Sequence, residues 1–161
     1  MHPLRLFAAT GEQVVRLDSH DGERFETTVM LPESKAQCVA VDPSNPDRVY
    51  VGTFDDGVYR TLDGGETWTH VSEGIPHKRV LSIAISPSDR VNGLNAVFAG
   101  TEPSNLYRSE DDGATWQEFS ELPKLPSSPG WSFPPRPWTS HVRWIAPHHA
   151  DPNLLYVGIE L

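Results

Sequence analysis

Two carboxylates held across a pocket can cleave a glycosidic bond, one as acid and the other as nucleophile or base. The acids of this chain that qualify for that work are Asp55, Asp56, Glu102 and Glu160. Their plainer reading is solvated turn residues, since they sit in or near the turns that follow the second strand of each unit. A second group with chemical potential is the stretch LPKLPSSPGWSFPPRPWTS, residues 122–140. Proline stiffens it toward polyproline II, so Trp131, Phe133 and Trp138 can stack on a sugar or peptide while Arg136 pairs with a ligand carboxylate. Its plainer reading is a lid, because aromatic side chains in long loops are commonly buried. His148 and His149, with His141 nearby, invite a metal reading, but adjacent histidines on a turn lack the spacing that points two imidazoles at one ion. No metal site and no cofactor is expected.

These residues sit in a repeat. TLDGGETW, residues 61–68, recurs 48 residues later as SEDDGATW, residues 109–116. Asp63 and Asp111 can fold a carboxylate over the turn and accept hydrogen bonds from backbone N–H groups, while Gly65 and Gly113 supply positive φ. Thr61 and Ser109, with Thr67 and Thr115, offer hydroxyls to the remaining turn groups. Trp68 and Trp116 then provide a ring that wedges between sheets. The turn reads as a self-satisfied hairpin with a hydrophobic peg. Carbohydrate or metal binding through Asp63 and Asp111 is the alternative, and a calcium loop would need more oxygen ligands than TLDGGETW offers.

The same period runs through the flanking segments. VAVDPSNPDRVYVG (39–52) aligns without a gap to IAPHHADPNLLYVG (145–158), and IAISPSDRVNGLNAVFAG (83–100) is the same unit with four extra residues in its turn. Each unit holds four short strands, here called A to D, which is the signature of a propeller blade. The expected fold is therefore all-β, a β-propeller of four-stranded antiparallel blades amounting to about three blades in a partial or open ring. Its divisions are residues 1–33 (strands B, C and D, with DSHDGERF at 18–25 in the place of the box), 34–78 (a full blade), 79–139 (a full blade with the long loop 121–140) and 140–161 (strands A and B). No helix is expected. Cys38 aligns with Ser82 on strand A and reads as a small core residue.

Composition narrows the partners. A formal charge of −9 and a pI near 5.1 make nucleic acid an unsuitable ligand. The N-terminal apolar run is interrupted by Pro3 and Arg5 and is too short for a signal peptide, and nothing approaches the length of a membrane span. One cysteine allows no internal disulfide. A cytoplasmic, membrane-free protein is the expectation.

With two copies of the pattern Ser/Thr, any, Asp, any, Gly, any, Thr, Trp, the sequence resembles the BNR or Asp-box repeat propellers, a group that includes sialidases, other glycoside hydrolases and the sortilin ectodomain. The resemblance implies boxes on the blade periphery, away from any active site. It also implies that the D-to-A and B-to-C connections share the face that carries most ligands, where the four acids and the long loop fall. A sialidase needs an arginine triad that no motif here assembles. Such propellers have six or more blades, so the resemblance implies a fragment of a longer protein or self-association through open blade edges. The function expected is a non-catalytic binding or assembly scaffold for a protein or carbohydrate ligand. The alternative is a sialidase-like or other glycoside hydrolase whose active site is completed by further blades.

Overall fold

Runs of four to nine alternating apolar residues, cut by Gly, Pro and Asp, can bury side chains only by pairing edge to edge and stacking face to face. In the computed structural model, which describes residues 4–135 and 139–160, they form four antiparallel sheets. Sheet I holds β1 (Leu4–Ala9), β2 (Val14–Ser19) and β3 (Glu26–Met30). Sheet II holds β4 (Ala36–Asp42), β5 (Asn45–Thr53), β6 (Val58–Thr61) and β7 (Thr69–His70). Sheet III holds β8 (Arg79–Val91), β9 (Leu94–Glu102), β10 (Leu106–Ser109) and β11 (Gln117–Glu118), and sheet IV pairs β12 (His141–Pro147) with β13 (Leu155–Glu160). Strand order follows chain order in every sheet. The inner strands pack in sequence, β1 on β4, β4 on β8 and β8 on β12. This is a β-propeller arrangement in an open arc.

Two local features differ from the sequence expectation. The four extra residues between 83 and 100 do not enlarge a loop; they lengthen β8, which forms with β9 a hairpin closed by Asn92 and Gly93, both at positive φ, as a two-residue turn on twisted strands requires. The long loop is not drawn out as polyproline II over its first half. Leu122–Lys124 and Ser128–Gly130 each form a 3₁₀ turn with a proline in its first turn, a position where the absent N–H costs nothing.

Three apolar seams join the sheets. Val14 and Met30 of sheet I meet Ala36 and Val51 of sheet II. Tyr50, Val58 and Val71 of sheet II meet Val80, Val97, Tyr107 and Trp116 of sheet III. Phe98 and Leu106 of sheet III meet Val142 and Ile145 of sheet IV. In two of these seams the backbones approach closely at the glycine near the end of strand B. A methyl group at Gly52 would lie 2.7 Å from the Val80 carbonyl oxygen, and one at Gly100 would lie 2.4 Å from Val142 Cγ1. Beside each glycine a small side chain completes the junction: Cys38 Sγ lies 3.7 Å from the Val80 carbonyl oxygen, and Ser82 Oγ donates to the Val142 carbonyl at 2.7 Å. Burial pushes the Cys38 thiol up to about 12, which keeps it protonated and inert. The third position of this kind is different. Trp144 stands where Cys38 and Ser82 stand, remains 57% exposed, and is the nearest neighbour of Gly158 at 3.5 Å.

These contacts generate a differential prediction. Gly100→Ala and Gly52→Ala force atoms into occupied space and should each cost about 1–3 kcal/mol, the usual penalty of overpacking. Gly158→Ala meets only Trp144 at ordinary contact distance and should stay near the parent. Trp116→Ala, which empties the middle seam, should cost about 3–5 kcal/mol. Urea unfolding of the four variants reads all of these; equal midpoints for Gly100→Ala and Gly158→Ala would refute the close-approach account.

Candidate functional site

Register places the last residue of strand B opposite the first of strand A, so Arg79 lies across from Glu102 and His141 across from Glu160. The packing of sheet III on sheet IV then joins the two pairs. Arg79 Nη1 reaches Glu102 Oε1 at 2.7 Å, Glu102 Oε2 lies 3.8 Å from His141 Nδ1, and His141 Nε2 lies 2.7 Å from Glu160 Oε2. Arg143 Nε approaches Glu160 at 3.6 Å. Glu102 and His141 are buried, whereas the Glu160 side chain is 42% exposed. At the sheet II end Arg79 also stacks on Phe54, 4.6 Å from the ring centre, a cation–π contact. The result is a polar ladder, Phe54–Arg79–Glu102–His141–Glu160, along one rim of the arc. Two of the four acids singled out in the sequence, Glu102 and Glu160, are thus brought together, with an imidazole between them.

The other two are not part of it. Asp55 and Asp56 lie in the turn between β5 and β6, where Lys35 pairs with Asp55 and the Tyr59 hydroxyl donates to Asp56 at 2.5 Å. That hydrogen bond, with burial second, pushes the Tyr59 phenol up to about 12. Asp56 lines a separate cleft of about 350 Å³ with His70, Ser72 and His77.

The long loop folds back on the ladder. Phe133 meets His141 edge-on, ring centres 5.0 Å apart, and its N–H donates to the Thr139 carbonyl. Ser140 is buried and its hydroxyl lies 2.8 Å from that of Ser104, which pins the end of the loop over sheet III. Trp131 is half-buried. Arg136 and Trp138 lie outside the described residues. Phe133 is therefore turned inward onto the ladder.

The three histidines are separated by the length of β12. His141 opens the strand, while His148 follows its end and accepts backbone hydrogen bonds at Nδ1 from Ala150 and Asp151. Among the described residues no group of three His, Cys, Asp or Glu is placed to hold a metal ion.

The boxed turns use their polar atoms internally. Asp63 accepts from the Thr61 hydroxyl at 2.6 Å, the Thr67 hydroxyl at 2.6 Å and the Thr67 N–H at 2.9 Å, while Thr61 Oγ1 receives the Gly65 N–H. Asp111 repeats this with Ser109 and Thr115, and Ser109 Oγ receives the Gly113 N–H. In sheet I the roles fall to Ser19 and Asp21, and the Gly22 N–H donates to Ser19. This corrects the alignment of DSHDGERF, which set Asp18 against Thr61; the turn is one residue shorter. Trp116 donates to the Val71 carbonyl across the middle seam, and Trp68 to its own Gly65.

One recurrent residue was overlooked in the sequence. Arg16, Arg60 and Arg108 occupy the same place in strand C, within VVRL, VYRT and LYRS. Arg16 donates to the Gly64 carbonyl at 2.9 Å and Arg60 to the Asp112 carbonyl at 2.7 Å, so each clasps the boxed turn of the following sheet. The recurrence was visible; its partner was not, because the contact crosses between repeats.

Comparison with known proteins adds the fold. No protein-family model and no curated protein sequence matches the chain. Among solved structures it is similar to a GH74 enzyme of Niastella koreensis, with 24% identity and a TM-score of 0.53 over 72% of this chain and 20% of that one. It is also similar to the GH74 xyloglucanase of Xanthomonas campestris, with 22% identity and a TM-score of 0.50 over 75% of this chain and 22% of that one. YCF48 bound to D1 peptide matches at 15% identity and a TM-score of 0.48 over 73% of this chain and 43% of that one. The chain spans about a fifth of the length of the GH74 proteins.

The boxes also set a pH response. The Thr61 hydroxyl, then the Thr67 hydroxyl and N–H, hold Asp63 well below the usual carboxylate range. At Asp111 burial works upward, but Thr115 and Ser109 outweigh it and the net shift is again downward. A depressed folded-state value stabilises fully above the unfolded carboxylate value, near 4, and the contribution is lost as pH falls through the folded value. The stability gap between the parent and an Asp63→Asn, Asp111→Asn variant should therefore be widest near neutral pH and narrow progressively below about pH 4. Urea midpoints measured at a series of pH values check this, and a gap that widens on acidification contradicts it.

Proposed function

We propose that the chain is a segment of a BNR/Asp-box propeller that works as a non-catalytic scaffold and takes a protein or carbohydrate ligand on the rim formed by Arg79, Glu102, His141, Glu160 and the loop 121–140. The box assignment is supported by the matched hydrogen-bond sets around Asp63 and Asp111. One observation carries the non-catalytic reading: each of the four acids singled out in the sequence is engaged by a partner from its own chain. Arg79 and His141 flank Glu102, His141 and Arg143 face Glu160, Lys35 holds Asp55 and Tyr59 holds Asp56. A glycosidase instead keeps one carboxyl protonated and its partner free to attack, on either side of a bound sugar. Phe133 further packs edge-on against His141, the side chain that stands between Glu102 and Glu160. The GH74 neighbours, at 24% and 22% identity, speak for fold and not for activity.

A hydrolase reading draws on a single feature, the convergence of Glu102 and Glu160 on His141. One assay separates the two. Purified chain is incubated with fluorogenic sialosides, xylosides and glucosides beside a Glu102→Gln, Glu160→Gln variant. No release above that of the variant is expected from any substrate; turnover by the parent that disappears in the variant would make the chain an enzyme. In the same samples, quenching of tryptophan fluorescence by an oligosaccharide or peptide panel, reduced by Trp131→Ala, is the expected sign of a ligand rim.

A further inference from the structure

The seams between sheets I and II and between sheets II and III differ on the periphery of the arc, away from the rim proposed above. In the second of them the connection from β7 to β8, VSEGIPHK (residues 71–78), runs along Trp116. The Trp116 N–H donates to the Glu73 carbonyl at 2.9 Å, and its indole N–H donates to the Val71 carbonyl at 2.9 Å. Gly74, at a φ of 97°, passes so close that a Cβ there would stand 2.3 Å from the Trp116 carbonyl oxygen. Ile75 is buried in the same apolar cluster as the Trp116 ring. In the first seam the corresponding connection, LPESK (residues 31–35), has five residues against eight, and none of them is buried. It crosses with Leu31, Glu33 and Lys35 at positive φ, a conformation costly for residues that carry a Cβ. Trp68, the counterpart of Trp116, is left half-buried. Its indole N–H turns to its own Gly65 carbonyl at 3.1 Å, and its backbone N–H donates to no carbonyl among the described residues. Beside it opens a groove of about 280 Å³ whose walls include Val29, Met30, Leu31, Pro32, Glu66 and Trp68.

We infer that this groove binds an extended segment of a partner protein in which a glycine is followed by a branched apolar residue, lying along Trp68 as residues 73–75 lie along Trp116. The carbonyl before the glycine accepts the Trp68 N–H, and the glycine lets the two backbones approach as Gly74 does. The apolar side chain then fills the space between Val29, Leu31 and the Trp68 ring. Charge selects the flanks. Glu66 stands on the wall formed by the boxed turn, and Glu33, next to Pro32, is exposed and makes no ion pair among the described residues. Basic residues beside the glycine are therefore favoured. A second copy of the chain is the poorer occupant, because its own residues 73–75 are already held by Trp116.

The test uses the full chain, ¹⁵N-labelled, and a capped peptide of residues 71–78, VSEGIPHK, whose end at His77 and Lys78 supplies the basic flank. Saturable shifts are expected at the Trp68 indole and backbone N–H and at the amides of Thr28–Leu31, with the Trp116 indole unmoved. A peptide carrying Ile75→Ser should bind about tenfold more weakly, the worth of one buried aliphatic side chain. One carrying Gly74→Val should not bind. Glu33→Lys in the chain should weaken binding about threefold, as loss of an exposed ion pair does. An absence of saturable shifts overturns the proposal, as does binding indifferent to any of these changes. Shifts at the Trp116 indole in place of Trp68 overturn it too, since the peptide would then be displacing the chain's own segment. So does a dimer of the unmodified chain, seen by sedimentation, that perturbs the Trp68 resonances, since the groove would then belong to a second copy.

Discussion

At Gly52 and Gly100 the backbone of one sheet comes so close to the inner strand of the next that no side chain fits between them. Much of the arc depends on that approach. It lets Cys38 and Ser82 reach a carbonyl of the neighbouring strand, and it brings the rings and aliphatic groups of facing sheets into contact farther out. A three- or four-stranded sheet alone would expose one whole apolar face. Stacked at this spacing, each inner sheet buries both, and the boxed turn seals the outer rim with a tryptophan or an arginine-bound carbonyl.

The sheets and their order were legible because they are local. Alternation, the Pro/Asp/Asn turns and the repeated TyrValGly endings locate strands without reference to anything distant. The box was legible for the same reason, since Asp63 and Asp111 bond within four residues of themselves. What crosses between repeats was not. Arg60 and the Asp112 carbonyl are 52 residues apart in sequence, and the joining of Glu102 to Glu160 through His141 needs two registers and one seam to be known together. The degenerate turn of sheet I misled for a related reason. With one residue fewer, its Ser–Asp spacing survives while the alignment slips, and only the hydrogen bonds of Ser19 and Asp21 restore it.

The long loop illustrates a competition between local preference and context. Proline favours an extended path, yet the same residue is tolerated at the start of a 3₁₀ turn, where its fixed φ is already suitable. Leu122 packs at the margin of the sheet III–IV seam, which gives the compact path an apolar contact that an extended one would forgo. Farther on, Phe133 gains a ring contact with His141 instead of facing solvent. The sequence carries the composition of both arrangements; burial selects between them.

Within a repeat protein, positions that stay the same from unit to unit serve the closure that every unit shares, and positions that differ are free to do something else. The glycine of strand B, the arginine of strand C and the box belong to the first kind. The rim belongs to the second. At the end of strand B the successive residues are Phe54, Glu102 and Glu160, and at the start of strand A they are Lys35, Arg79 and His141. No packing requirement common to the units explains an aromatic, a buried acid and a half-exposed acid at one position, or an arginine replaced by a histidine at the other. Their interdigitation produces a line of alternating basic and acidic side chains along the rim. The boxed turns, whose polar atoms are satisfied within the turn, therefore serve closure, whereas the places that break the repeat supply the rim proposed above to take a ligand.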